Sequence, residues 1–144
     1  MKQITIEKTV NVTKWEASDG TTFETREECS KYEGTAKCVL YTRYKPLIKR
    51  SVDEYTLGFG SEDNFVDVVE VKSEGDVNVI KQLWFHWHPS TTHDFRDSQM
   101  EKIERAWKNE DILLITRGYE GEDNFYIIGT LSEYLDRIKK TVLE

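Results

Sequence analysis

The chain has 144 residues and a formal charge of −7; 38% of it is hydrophobic and 33% charged. That suffices for one domain with a true core, and the aromatic content argues against a disordered chain. The acidic balance argues against non-specific binding to duplex nucleic acid, which draws on counterion release by many Lys and Arg. No apolar run approaches the ~20 residues of a membrane span and the start has no signal-peptide pattern, so the expectation is a cytoplasmic protein that spans no membrane.

Residues Ile4 to Val12 alternate with period 2, which predicts one half-buried strand with Ile4, Ile6, Val10 and Val12 on the same side. Ser18-Asp19-Gly20 predicts a turn. Thr25-Arg26-Glu27-Glu28 has the spacing of a capping box and opens a helix to about Glu33, which Gly34 stops. Ala36 to Tyr44 reads as a second strand, ended by Pro46. On such a strand Tyr41 and Arg43 share a face. That makes Arg43 a candidate ligand contact within the basic strip Lys37, Arg43, Lys45, Lys49 and Arg50.

Residues 45–60 read as irregular, with Gly58-Phe59-Gly60 as a hinge. Phe65 to Val71 is rich in β-branched residues and predicts a strand. Ser73 with Asp76 caps a helix to about Leu83 or Trp84, with Val77, Ile80 and Trp84 on one face. Ser98-Gln99-Met100-Glu101 opens another to about Lys108, with Met100, Ile103 and Trp107 as its core stripe. Asp111 to Arg117 is apolar enough for a central strand. A polar turn from Gly118 to Asp123 and a strand from Phe125 to Gly129 follow. Thr130 and Glu133 cap a last helix, whose Leu131, Leu135, Ile138 and Val142 recur at 0, 4, 7 and 11. Glu133–Arg137 and Asp136–Lys140 are spaced as surface pairs on it.

This order is not the strict alternation of a doubly wound sheet. It predicts a single α+β domain over residues 1–144: a mostly antiparallel sheet with about four helices packed on one face. Cys29 and Cys38 lack metal-ligand spacing and are expected to be free. Glu62-Asp63-Asn64-Phe65 recurs as Glu122-Asp123-Asn124-Phe125, before a strand and a capped helix each time. Either a duplication or shared turn chemistry accounts for that echo.

All three histidines lie in the run from Trp84 to Asp97. In an extended segment His86 and His88 project from the same face. With His93, Asp94 or Asp97 they suit zinc, manganese or iron, with an open position for an attacking water. That is the alternative reading, a small metal-dependent hydrolase. An acid–base role for His93 beside Asp94 lacks a nucleophile, since Ser90, Thr91 and Thr92 sit in no elbow motif. The favoured reading is recognition: Trp84, Phe85, Trp87 and Phe95 offer flat faces, and Arg96 offers a forked donor for phosphate or carboxylate. Stacking of a base on such a ring is worth ~1–3 kcal/mol, and Trp and Arg also anchor protein interfaces. The expected ligand contacts are Trp84, Trp87, His88, Phe95, Arg96 and Arg43, with no catalytic residue, metal or cofactor. The tryptophans serve equally well as core.

One stretch carries a resemblance. Asp19-Gly20, Phe23, Thr25, Glu27-Glu28-Cys29 and Tyr32-Glu33 form the pattern DG-x-x-F-x-T-x-E-E-C-x-x-Y-E within residues 14–33. It resembles an element near the start of small phage-encoded accessory proteins of the counter-defence type, in which Phe23 and Tyr32 pack the element down and Cys29 faces inward. The resemblance implies a phage origin; the acidic charge, the small size, the lack of a catalytic motif and the aromatic-Arg segment add the expectation of a non-enzymatic binding protein. Such a protein inhibits or sequesters a component of bacterial host defence, either a host protein or a small nucleotide signal, in the cytoplasm of the infected host. It carries no ligand residue over to this chain. A free sheet edge would leave room for a homo-oligomer.

Overall fold

A computed structural model of the chain describes residues 1–7, 11–18, 20–53, 57, 64–118 and 125–143. The protein is α+β, with five α-helices and two antiparallel sheets among the described residues. Its internal contacts form two compact units, Met1–Lys45 and Pro46–Glu144.

The first unit contains β1 (Lys2–Glu7), β2 (Asn11–Glu16), β3 (Thr22–Phe23), α1 (Arg26–Glu33) and α2 (Ala36–Tyr44). The single strand expected from Ile4 to Val12 is two strands, paired with Ile4 opposite Lys14 and Glu7 opposite Asn11. Alternation continues in phase from one strand to the other, so it hides their antiparallel pairing; Val10 lies outside the described residues. Gly20 takes φ +93° and donates its N–H to the Ala17 carbonyl at 2.9 Å, closing the expected turn. Thr25 accepts from the Glu28 N–H at 3.2 Å and starts α1 as anticipated. Ala17, Cys29 and Cys38 form the core, with Trp15, Phe23 and Tyr32 against it. Phe23 meets Tyr32 at 5.1 Å, and both cysteines are buried.

Ala36–Tyr44 is a helix, not the expected strand. Thr35 caps it by accepting from the Cys38 N–H at 3.3 Å. Cys38, Tyr41 and Tyr44 then recur every third residue on one side, a helical spacing that the β-branched and aromatic content obscures. Tyr41 and Arg43 therefore do not share a face.

The second unit contains β4 (Ile48–Asp53), β5 (Asn64–Glu70), α3 (Glu74–Trp87), α4 (His93–Lys108), β6 (Ile112–Gly118), β7 (Phe125–Thr130) and α5 (Leu131–Leu143). The sheet order is β4-β5-β6-β7. As the apolar run predicts, β6 is internal, with Leu113, Leu114 and Ile115 buried. β4 occupies part of the stretch read as irregular; the hinge at 58–60, the turn at 119–123 and most of the sequence echo lie outside the described residues. Helices are thus divided between two small sheets, α1 and α2 with the first and α3, α4 and α5 with the second.

Asp67 is fully buried on β5 and accepts from the Arg117 Nε and Nη2 of β6 at 2.8 and 3.1 Å, and from the Ser51 hydroxyl of β4 at 2.6 Å. Three strands are pinned in register by one carboxylate. Ser73 caps α3 as expected, and Val77, Ile80, Leu83 and Trp84 form its buried face. The buried face of α4 is Gln99, Ile103 and Ala106, one position away from the expected Met100–Ile103–Trp107 stripe. Thr130 accepts from the Glu133 N–H at 3.2 Å and caps α5. α5 forms with the apolar stripe at the expected spacing, and no residue of this helix is buried. Glu133 is held by the Arg105 Nε at 2.8 Å rather than by Arg137.

Candidate functional site

The segment from Trp84 to Asp97 is not a loop. α3 runs on to Trp87 with His88 as its C-cap, whose N–H bonds the Trp84 carbonyl at 2.9 Å. α4 begins at His93, five residues before the expected Ser98, because Thr92 accepts from the Phe95 N–H at 3.4 Å and Asp94 supplies an acid to the first turn. A helix turns about 100° per residue, so His86 and His88 point about 200° apart rather than from one face.

Trp84 is completely buried, with its indole N–H donated to the Gln99 Oε1 at 3.0 Å. The same oxygen accepts from the Ile127 N–H at 2.7 Å, while the Gln99 amide donates to the Ile127 carbonyl at 2.9 Å. His88 stacks on Trp84 at 4.5 Å, and its Nε2 lies 2.6 Å from the Phe125 carbonyl oxygen. A carbonyl only accepts, so Nε2 carries the proton. Among the described residues β7 is the last strand of its sheet and has no strand partner on its far edge. Gln99 and His88 satisfy three backbone groups of that edge, which closes it to another strand.

From this anchor a ladder of rings runs outward. Phe85 meets Trp84 edge-on at 5.5 Å and is 42% exposed. Phe95 lies 5.7 Å from Trp84 and 5.9 Å from His88, and stacks on Tyr126 at 5.9 Å with 20° between the planes. Tyr126 is the outward residue of β7, between buried Phe125 and Ile127. The Lys102 ammonium sits 5.6 Å above the Tyr126 ring. Burial lowers the Lys102 pKa below the ordinary lysine value, with the Glu133 carboxylate pulling the other way. Beside the ladder, the Arg96 guanidinium donates to the His93 Nδ1 and lies 3.6 Å from Asp97.

Of the sequence-chosen residues, Trp84, His88 and Phe95 come together, with Arg96 the residue after Phe95 on α4. Trp84 is structural: its ring is core and its N–H is used. Trp87 is half-buried, with its ring 6.1 Å from that of exposed His86. Arg43 is exposed on α2, in the other unit. His86, His88 and His93 have separate neighbours, and no three His, Cys, Asp or Glu among the described residues are placed to hold a metal ion. Gln99, Lys102 and Tyr126 were missed. Tyr126 was legible as the outward position of a strand that alternates; Gln99 was not, because a polar residue inside a helix reads as a solvated one.

No protein-family model, no curated protein and no solved structure matches the chain. The second unit also carries an open groove of about 630 Å³, lined by Glu70, Glu110 and Asp111 with Lys72 and Trp107. Three carboxylates against one ammonium repel a phosphate there. Among the described residues no helix is long and apolar enough to cross a membrane.

Proposed function

We propose that this chain is a non-enzymatic binding protein of the phage counter-defence kind, which disables a protein of bacterial host defence by occupying its surface. The contact would be made by Phe85, Phe95 and Tyr126, with Arg96 and Lys102 at the rim. One observation carries this reading: exposed rings are fixed by a buried Trp84–Gln99 anchor, so they are ordered before any partner arrives. Pre-ordered side chains lose little entropy on binding, and aromatic residues rimmed by cations are the usual anchors of protein interfaces. The element at residues 14–33 supports the phage origin. A protein partner is favoured over a nucleotide signal because Phe95 and Tyr126 stack on each other and the open groove is lined by carboxylates.

The test is phage plating on bacterial strains that each carry one defence system and express this protein. Plating is expected to recover in at least one strain, and Phe85→Glu with Tyr126→Glu is expected to abolish the recovery while leaving the fold intact. Recovery in no strain, or recovery that ignores both substitutions, contradicts the reading. A thermal-shift panel of cyclic nucleotides and ADP-ribose derivatives is expected to be flat, whereas a bound nucleotide at 100 times its Kd would add about 2.7 kcal/mol of stability.

A further inference from the structure

We infer that α5 is a self-association surface through which two copies of this chain pair antiparallel. Leu135, Ile138 and Val142 are 53%, 42% and 74% exposed, and Leu131, one turn before them, is half-buried. Soluble surfaces scatter single apolar residues, but a continuous stripe along a helix calls for a cover. These four positions are spaced 4, 3 and 4, the alternating steps of a two-helix seam. That spacing reads the same in both directions. A two-fold axis across the middle of the helix therefore sets Leu131 opposite Val142 and Leu135 opposite Ile138 of the second copy, the self-complementary arrangement that a symmetric dimer requires.

The charges agree with that occupant. At 100° per residue, Asp136 and Lys139 lie on one flank of the stripe. The same axis brings each Asp136 to Lys139 of the other copy, and among the described residues neither has an ion-pair partner within its own chain. Acids sit in the first half of the helix and Lys139 and Lys140 in the second, so an antiparallel copy meets opposite charge along its length. The alternative of strand addition at the far edge of β7 is closed by Gln99 and His88. A helix of 13 residues is about 20 Å long, which places the contact at the small end of specific interfaces and makes the dimer concentration-dependent.

Sedimentation equilibrium of the whole chain tests this. The mass is expected to rise from 16.9 kDa toward twice that value as concentration increases. Ile138→Asp, at an exposed position, is expected to hold the chain at the lower mass. Asp136→Lys and Lys139→Asp are each expected to weaken association about tenfold, and an equimolar mixture of the two to restore it, because a flank of two lysines then faces a flank of two aspartates. A parallel pair would not bring these flanks together. A monomer at all concentrations, association that ignores Ile138→Asp, or a mixture no tighter than its components overturns the inference. Should Ile138→Asp disturb the helix by circular dichroism, the mixing experiment decides alone.

Discussion

Gln99 makes three hydrogen bonds in a site that is 1% exposed, and each partner is itself buried. Replacing it with Leu keeps the volume and leaves the Trp84 N–H and both Ile127 backbone groups without partners. Each stranded group costs about 1–3 kcal/mol, so Gln99→Leu is expected to lower the unfolding free energy by about 3 kcal/mol or more in urea titration. An unchanged midpoint would show that the anchor is not what holds the ladder. Glu110 offers the opposite case. α4 ends with the Asp111 N–H on the Ala106 carbonyl at 2.9 Å and the Glu110 N–H on the Trp107 carbonyl at 3.3 Å, a Schellman closure that places Glu110 at φ 51°. A residue with a Cβ is strained there by about 1 kcal/mol relative to glycine. Glu110→Gly is expected to raise the melting temperature by a few degrees; a fall in melting temperature contradicts the strain argument.

Among the elements, the sheet of the second unit depends on one buried ion pair. Arg117→Met strands the Asp67 carboxylate and is expected to cost about 3–5 kcal/mol, whereas Asp67→Leu combined with Arg117→Met is expected to recover most of that loss, since a well-packed apolar pair often replaces a buried ion pair without penalty. Chemical denaturation of the single and double variants decides it; a double variant as unstable as the single one removes the argument. β4 and β5 also share an exposed pair, Lys49 Nζ to Glu70 Oε2 at 2.7 Å. The hydrogen bond from Lys49 holds the Glu70 carboxyl below its ordinary value, against the upward pull of desolvation. Its stabilising share is thus present above the unfolded value of 4.5 and is lost as pH falls through the lower folded value. Glu70→Gln is expected to lower the melting temperature slightly above about pH 4.5 and to leave it nearly unchanged at lower pH, so that the acid limb flattens.

The same elements show what the sequence discloses. Caps carry direct chemistry, so Thr25, Ser73 and Thr130 were readable as helix starts and the structure uses all three. Apolar density marked β6 as internal. Readings failed where the physics is shared between alternatives, as in α2 and α4. Ala36–Tyr44 has strand-like composition over a helical spacing, and the Thr35 cap decides for helix. The stripe of α4 is one position away because it starts at Gln99, whose burial is compensated by backbone groups of a strand 28 residues away in sequence. No local pattern contains that compensation. The candidate site was half legible for the same reason: His88, Phe95 and Arg96 were readable as an unusual cluster, while Tyr126 and Lys102 join it only through the packing of α4 on β7.

For the molecule as a whole, the proposed activity belongs to a surface and not to a pocket. The protein is acidic, with a formal charge of −7, yet Lys102 lies over the Tyr126 ring of the ladder and Arg96 follows Phe95 on α4. A partner with an acidic rim around an apolar centre would be steered to this face while the rest of the molecule repels it. The measurement that bears most directly on this is photo-crosslinking from a benzophenone side chain placed at position 126, in cells carrying a defence system that the protein disables. The account predicts a covalent adduct with a protein component of that system, absent when the probe stands instead at exposed Val39 of α2. Adducts from position 39 and none from position 126 would contradict it.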